Sequence, residues 1–213
     1  MEVLKLENIG FNYGNKKVLD NVNYTFESGK IYAIAGKSGA GKTTLLSLIS
    51  GLATPKNGTI YFHDTDIRSY DSYEYRGKKI GIIFQSFNLL ANLTAAENVV
   101  LTMDIAGVKA ADKKKKAKEL LEQVGLNEDE ANRRVLKLSG GQQQRVAVAR
   151  ALATDAEVIL ADEPTGNLDE ETQEEILQTF RRLAEAGKCV IVITHSPRVT
   201  EAADQVYRLS AIK

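Results

Sequence analysis

Eight residues, Gly36-Lys37-Ser38-Gly39-Ala40-Gly41-Lys42-Thr43, match the spacing G-x-x-x-x-G-K-[ST]. Its chemistry is anion binding. The glycines let the backbone curl so that successive N–H groups point inward at one phosphate. A helix beginning near Gly41 adds its unpaired N–H groups and the positive end of its dipole. Lys42 can reach β- and γ-phosphates, the Thr43 hydroxyl can ligate Mg²⁺, and Thr44 would sit near the α-phosphate. An apolar strand, Ile31-Tyr32-Ala33-Ile34-Ala35, leads in, and the helical run Thr44-Leu45-Leu46-Ser47-Leu48-Ile49 leads out. That context separates a phosphate loop from a glycine-rich turn that merely caps a helix.

Three more polar groups follow strongly apolar runs: Gln85 after 79–84, Asp162-Glu163 after 157–161, and His195 after 188–194. Continuous apolar strands separated by helical patterns imply a parallel sheet covered on both faces. Polar groups at the carboxyl ends of such strands share one edge with the phosphate loop. Asp162 suits Mg²⁺, held through water, and Glu163 is placed to take a proton from attacking water. His195 suits a γ-phosphate contact, and Gln85 a metal or water contact. Phosphoryl transfer asks for positioned water and neutralised charge, so this set points to NTP hydrolysis rather than transfer to another acceptor. Tyr13, in an exposed-looking loop Phe11-Asn12-Tyr13-Gly14, could stack on a purine base or simply pack at a strand end.

The elements that must position these groups read off the chain in order. Residues 2–9 alternate apolar and polar, as a strand does, and a second strand-like stretch runs from Lys17 to Phe26. Glu27-Ser28-Gly29-Lys30 reads as a hairpin-type turn into the phosphate-loop strand. Thr59–Phe62 is a short strand, and residues 68–78 read as polar, tyrosine-rich surface. From Ser86 to about Ala153 the pattern is helical, with a capping box at Thr94-Ala95-Ala96-Glu97. The four-lysine start of a helix over 113–124 reads as a solvated face. Helices are also expected over 145–153 and 172–186.

With 213 residues, 43% hydrophobic and 26% charged, the chain fits one large domain with a real core. Lys+Arg 28 balances Asp+Glu 28, which argues against a nucleic-acid partner. No apolar run reaches the roughly 18 residues of a membrane span, and Met1–Leu6 lacks the pattern of a secretory signal. The single cysteine, Cys189, lies in an apolar run and reads as a core residue of a reduced compartment.

Leu138-Ser139-Gly140-Gly141-Gln142 precedes a helix and offers a second anion-binding helix start. With it, the sequence resembles the ATP-binding cassette (ABC) ATPases over nearly its full length. The motifs occur in that family's order: phosphate loop, Gln85, the signature at 138–142, the strand at 158–163, the D-loop Asn167-Leu168-Asp169, and His195. The resemblance implies an α/β P-loop NTPase fold of ABC type. Its core sheet would be mostly parallel, with an N-terminal antiparallel β region. It implies a single domain in which 1–85 and 154–213 form a RecA-like core and 86–153 a helical subdomain. Tyr13 falls at the family's adenine-stacking position. The cofactors would be ATP and Mg²⁺, the metal near Thr43, Gln85 and Asp162.

The resemblance further implies a head-to-tail homodimer around two ATP molecules, each signature closing the partner's site. Asp169 would help place the two sites. Phe84–Leu90, Leu93–Val99 and Leu160–Asp169 look like the ATPases of macrolide exporters and lipoprotein-release systems. Such a subunit would sit on the cytoplasmic face of the membrane and drive a separate permease seated near Ser86–Leu93, in some systems with a periplasmic or extracellular adaptor. Drugs, antimicrobial peptides or lipoproteins would be the cargo, by analogy alone. A non-transporting ABC ATPase of a mechanical signalling or cell-division complex is the alternative. A DNA-repair or translation protein is disfavoured, because no coiled-coil heptads and no second cassette interrupt or follow the domain.

Overall fold

A computed structural model describes residues 1–166 and 168–212. The chain opens with β1 (Glu2–Tyr13), β2 (Lys16–Glu27), β3 (Ile31–Ala35), α1 (Lys42–Ile49), β4 (Asn57–Phe62) and β5 (Thr65–Asp66). Then come α2 (Ser72–Glu74), running into a π-helical turn Tyr75–Lys79, and β6 (Ile80–Ile83). A helical stretch holds α3 (Ala95–Ile105), α4 (Lys113–Gln123), α5 (Glu128–Ala131) and α6 (Gly140–Leu152). The chain closes with β7 (Val158–Asp162), α7 (Glu170–Glu185), β8 (Cys189–Thr194), α8 (Pro197–Ala202) and β9 (Gln205–Arg208).

Two sheets form. An antiparallel sheet has the order β2-β1-β4-β5, and a fully parallel sheet has the order β6-β7-β8-β3-β9. The parallel strands alternate their side chains between two cores. Ile159, Ala161, Val190 and Val192 face the helical layer of α3, α4, α6 and α7. Val158, Leu160, Cys189 and Ile191 face α1 and the antiparallel sheet. Burial on both faces explains why these strands carry no polar alternation. Helix α6 lies close on β6, because a Cβ on Gly81 would stand 2.5 Å from the Ala151 carbonyl oxygen. Aromatic packing joins the two sheets: Tyr207 of β9 stacks on Tyr24 of β2 at 4.0 Å and donates its hydroxyl to the Thr25 carbonyl at 2.7 Å.

Three local expectations need correction. The turn at Glu27–Lys30 is not a hairpin: β2 pairs with β1 in one sheet, and β3 pairs with β8 and β9 in the other. The wholly apolar β3 demands a central, doubly covered place that a neighbour of solvent-facing β2 would lack. Tyr13 is the last residue of β1, opposite Lys16, rather than part of a loop. Residues 68–78 are not all surface, since Tyr75 is 2% exposed and donates its hydroxyl to the Ile49 carbonyl at 3.0 Å. The hydrogen bond lets a tyrosine close the end of α1, with its ring serving as core.

The capping box at Thr94 and Glu97 forms as the sequence suggests. So does a lysine-rich α4 whose Lys113 and Lys118 pair with Asp104 and Glu128. Cys189 is buried in the core, and burial pushes its thiol pKa up. No helix among the described residues is long and apolar enough to cross a membrane.

Candidate active site

The register of the parallel sheet sets the site. Ala35 lies opposite Thr194, Ala161 opposite Ile83, and Asp162 opposite Ile193. The residues that follow each strand therefore emerge along one edge. A cleft of about 720 Å³ opens there, lined by Ser38, Gly39, Gly41, Lys42, Thr43, Thr44, Gln85, Asp162, Glu163 and His195, with Tyr13 at its rim.

The phosphate loop is held by its own geometry. Gly39 and Gly41 have φ of 78° and 92°, where an L side chain is strained. Gly41 caps α1 with no side-chain acceptor, so the first N–H groups of the helix stay free for an anion. Lys42 Nζ donates to the Gly36 carbonyl at 2.7 Å. Gly36, Lys37 and Ala40 stand behind the residues that line the cleft. A Cβ on Gly36 would stand 2.4 Å from the Leu209 carbonyl oxygen, and the Ala40 methyl packs into the core. Lys37 faces a separate depression beside Ser196 and Pro197. These three shape the loop from behind.

Asp162 and Glu163 stand side by side at the end of β7. Burial, then the neighbouring Glu163 charge, push the Asp162 carboxyl above its usual range, and Lys42 opposes them. Glu163 holds left-handed backbone, φ 45°, and its N–H donates to the Ile193 carbonyl at 2.9 Å. Its carboxylate meets His195 Nδ1 at 2.8 Å. Two adjacent carboxylates and a hydroxyl supply oxygen donors that fit Mg²⁺ carried on a nucleotide, and the lysine beside them suits its phosphates. Among the described residues no three His, Cys, Asp or Glu side chains gather as a metal cage. Thr43, Gln85 and Asp162 are the chain's candidates for holding the cation.

Lys16, Lys17, Val18 and Ile212 also line the cleft, and the sequence reading passed over them. The pairing of Tyr13 with Lys16 and Asn12 with Lys17 brings the first two there, a signal available only once the hairpin register is known.

None of Leu138, Ser139, Gly140, Gly141 or Gln142 lines this cleft. Ser139 and Gly140 are exposed, and Leu138 is buried beneath them. Ser139 Oγ accepts from the Gln142 N–H at 3.2 Å, and Gln142 Oε1 accepts from the Ser139 N–H at 2.8 Å. In the D-loop, Asp169 caps α7 and accepts from the Thr172 N–H and hydroxyl at 2.9 and 2.8 Å. Leu168 packs against the helical core, and Asn167 lies outside the described residues. The signature meets the first turn of α7 within the chain: a Cβ on Gly141 would stand 2.8 Å from Thr172 Cγ2.

A phosphate loop at the carboxyl edge of a parallel sheet, with strand-end carboxylates beside it, defines a nucleoside-triphosphate hydrolase of the P-loop class. The sequence profile of the ABC transporter family matches residues 19–166. The chain belongs to the ABC transporter family as an ATP-hydrolysing cassette that uses ATP and Mg²⁺. It is 43% identical, over 99% of its length and 94% of the relative's, to the uncharacterised ABC transporter ATP-binding protein YclH of Bacillus subtilis (strain 168). An uncharacterised ABC transporter ATP-binding protein of Thermotoga maritima is 46% identical over 93% of this chain and 87% of its own. Among solved structures it resembles the dimeric post-hydrolysis state of the cassette MJ0796 bound to ADP and Pi. That likeness has TM-score 0.88 and 38% identity, and covers 99% of this chain and 97% of the other. It also resembles cbiO1 of Clostridium perfringens, part of the ABC transporter complex cbiONQ, with TM-score 0.87 and 27% identity over 100% and 87% of the two chains.

Proposed function

We propose that this chain is the energising subunit of a membrane transporter, working as a head-to-tail homodimer that clasps two ATP molecules. One observation carries the reading: Lys42, Thr43, Gln85, Asp162, Glu163 and His195 share one cleft, while Ser139 stands exposed outside it. A second, exposed anion-binding helix start outside the cleft suits the ATP of a second copy. The dimeric state of MJ0796 supports that geometry.

In this reading Tyr13 stacks on adenine, and the loop Gly36, Lys37, Ser38, Gly39, Ala40 and Gly41, with Thr44, cradles the phosphates. Lys42 neutralises charge on the β- and γ-phosphates. Thr43, Gln85 and Asp162 would hold Mg²⁺, which supplies further charge neutralisation when bound. Glu163 takes the proton of the attacking water, and His195 orients Glu163 and the γ-phosphate. Ser139, Gly140 and Gly141 donate to the partner's ATP, and Asn167, Leu168 and Asp169 meet the partner across the dyad. Residues 86–153 act as a helical subdomain on a RecA-like core.

The permease is a separate chain. Its seat is the surface around Ser86–Leu93, where Leu90 is exposed and Asn88 borders a groove that also holds Ile82, Phe84 and Ile105. The subunit works at the cytoplasmic face of the membrane. Its motifs favour the macrolide-exporter and lipoprotein-release branch, hence export of drugs, antimicrobial peptides or lipoproteins. The assembly of cbiO1 into a transporter complex supports the partner, not the cargo.

Size-exclusion chromatography with ATP tests the dimer. Glu163→Gln should elute as a dimer, and adding Ser139→Arg should return it to monomer. Full hydrolysis by a strict monomer, with Ser139→Arg silent, overturns the reading.

A further inference from the structure

Behind Gln85 the chain makes an unusual turn. Phe87 and Asn88 both hold left-handed backbone, φ 58° and 51°, and neither is glycine. L side chains adopt this region at a cost, bulky ones most of all. The Phe87 N–H donates to the Phe84 carbonyl at 3.1 Å and the Asn88 N–H to the Ser86 carbonyl at 2.6 Å, so Gln85 lies inside the turn.

The clamp on this turn comes from α6. Arg150 Nη2 donates to the Phe87 carbonyl at 2.7 Å, and Nη1 donates to the Asn88 carbonyl. Both carbonyls of the strained pair are thus gripped by one planar fork. Arg150 forms no ion pair among the described residues, so its charge is spent on these carbonyls. The far end of the loop is also tied to the helical layer. Asn98 of α3, itself buried, accepts from the Leu90 N–H at 2.8 Å and donates to the Leu90 carbonyl at 3.2 Å. Phe87 and Leu89 pack against the helical core.

Helix α6 carries Ser139 at its capped start and Arg150 near its last turn. A rigid helix of this length spans about 20 Å. We propose that Arg150 is a positioning residue for hydrolysis: its fork holds the strained Phe87–Asn88 turn, and through it sets where Gln85 stands in the cleft. The proposal rests on the reading of Gln85 as a contact of the metal or the attacking water.

Steady-state ATP hydrolysis in single and combined variants tests it, with thermal melting as the check on folding. Arg150→Gln should lower kcat roughly tenfold, with KM for ATP changed less than about twofold. Arg150→Lys, which can reach only one carbonyl, should lose about threefold. Asn88→Gly added to Arg150→Gln should restore most of the loss, because glycine needs no clamp at positive φ. In a Gln85→Ala background, Arg150→Gln should cost less than about twofold more, as expected for residues acting as one unit. Undiminished kcat in Arg150→Gln, or an equal loss in both backgrounds, overturns the proposal. If Arg150→Gln is insoluble, Arg150→Lys with and without Asn88→Gly decides by the same rescue. If Gln85→Ala alone leaves kcat intact, the role given to Gln85 fails and takes this inference with it. If Gln85→Ala is slow and Arg150→Gln is not, only the inference fails.

Discussion

His195 Nδ1 lies 2.8 Å from Glu163 Oε1, and the His195 backbone N–H donates to the other carboxylate oxygen at 3.3 Å. The carboxylate is held at both oxygens by His195, the residue after β8, while its own backbone sits at positive φ. Glu163 is only 11% exposed at its side chain, and His195 is 71% exposed. The pair thus couples a sheltered carboxylate to an open ring that a nucleotide would cover.

If Glu163 is the base, Glu163→Gln should lower turnover by roughly 10²–10⁴, about 3–5.5 kcal/mol, with ATP binding kept. Single-turnover hydrolysis and equilibrium titration with ATP separate the two effects. Full activity removes Glu163 from that role.

Lys42 now donates to the Gly36 and Lys37 carbonyls of its own loop. Lys42→Ala should weaken ATP binding at least about tenfold, some 1.4 kcal/mol. Stability should change by only about 1 kcal/mol, because the exchanged bond is a net small term. Calorimetric titration beside a denaturant melt checks both; unchanged affinity contradicts the phosphate-loop reading.

Gly141 is where the signature touches the first turn of α7. An alanine there would press its Cβ on Thr172 Cγ2, at 2.8 Å, and Thr172 in turn bonds Asp169. Gly141→Ala should cost about 1–3 kcal/mol of stability from overpacking. Adding Thr172→Ser removes the obstructing methyl and keeps the hydroxyl, so it should recover part of that loss. Denaturant midpoints of the three variants measure it, and an unchanged midpoint in Gly141→Ala refutes the contact.

Asp204 fixes the start of β3. Its carboxylate accepts from the buried Ile31 N–H at 2.7 Å and pairs with Arg181 at 2.9 Å. Burial pushes its pKa up, but the Ile31 N–H, Arg181 and Lys30 outweigh it and hold the carboxyl below its usual range. A depressed native pKa gives stability that is complete above the unfolded value, about 3.9, and is lost as pH falls through the native value. Asp204→Ala should cost about 1–3 kcal/mol at neutral pH, because it strands a buried N–H. The variant should also lose less stability than the parent between neutral pH and acid. Urea melts across that range check the sign; parallel curves for the two proteins exclude the linkage.

Much of this molecule was readable from local pattern. The phosphate loop, the apolar strands of the parallel sheet, the Ser139 helix start and the Asp162-Glu163 pair are each set by residues within a few positions of one another. Glycine placement, unbroken apolar runs and capping side chains act at that range. Tertiary structure decided what depends on partners far along the chain. The sheet that each of β2 and β3 joins was settled by long-range pairing, and the burial of Tyr75 by Ile49, 26 positions away. Which phosphate-loop residues face the cleft depends on the Leu209 carbonyl behind Gly36. The grip of Arg150 on Phe87 and Asn88 spans 63 and 62 positions. No local signal announces such contacts, because backbone carbonyls carry no residue identity and become partners only when packing brings a donor to them.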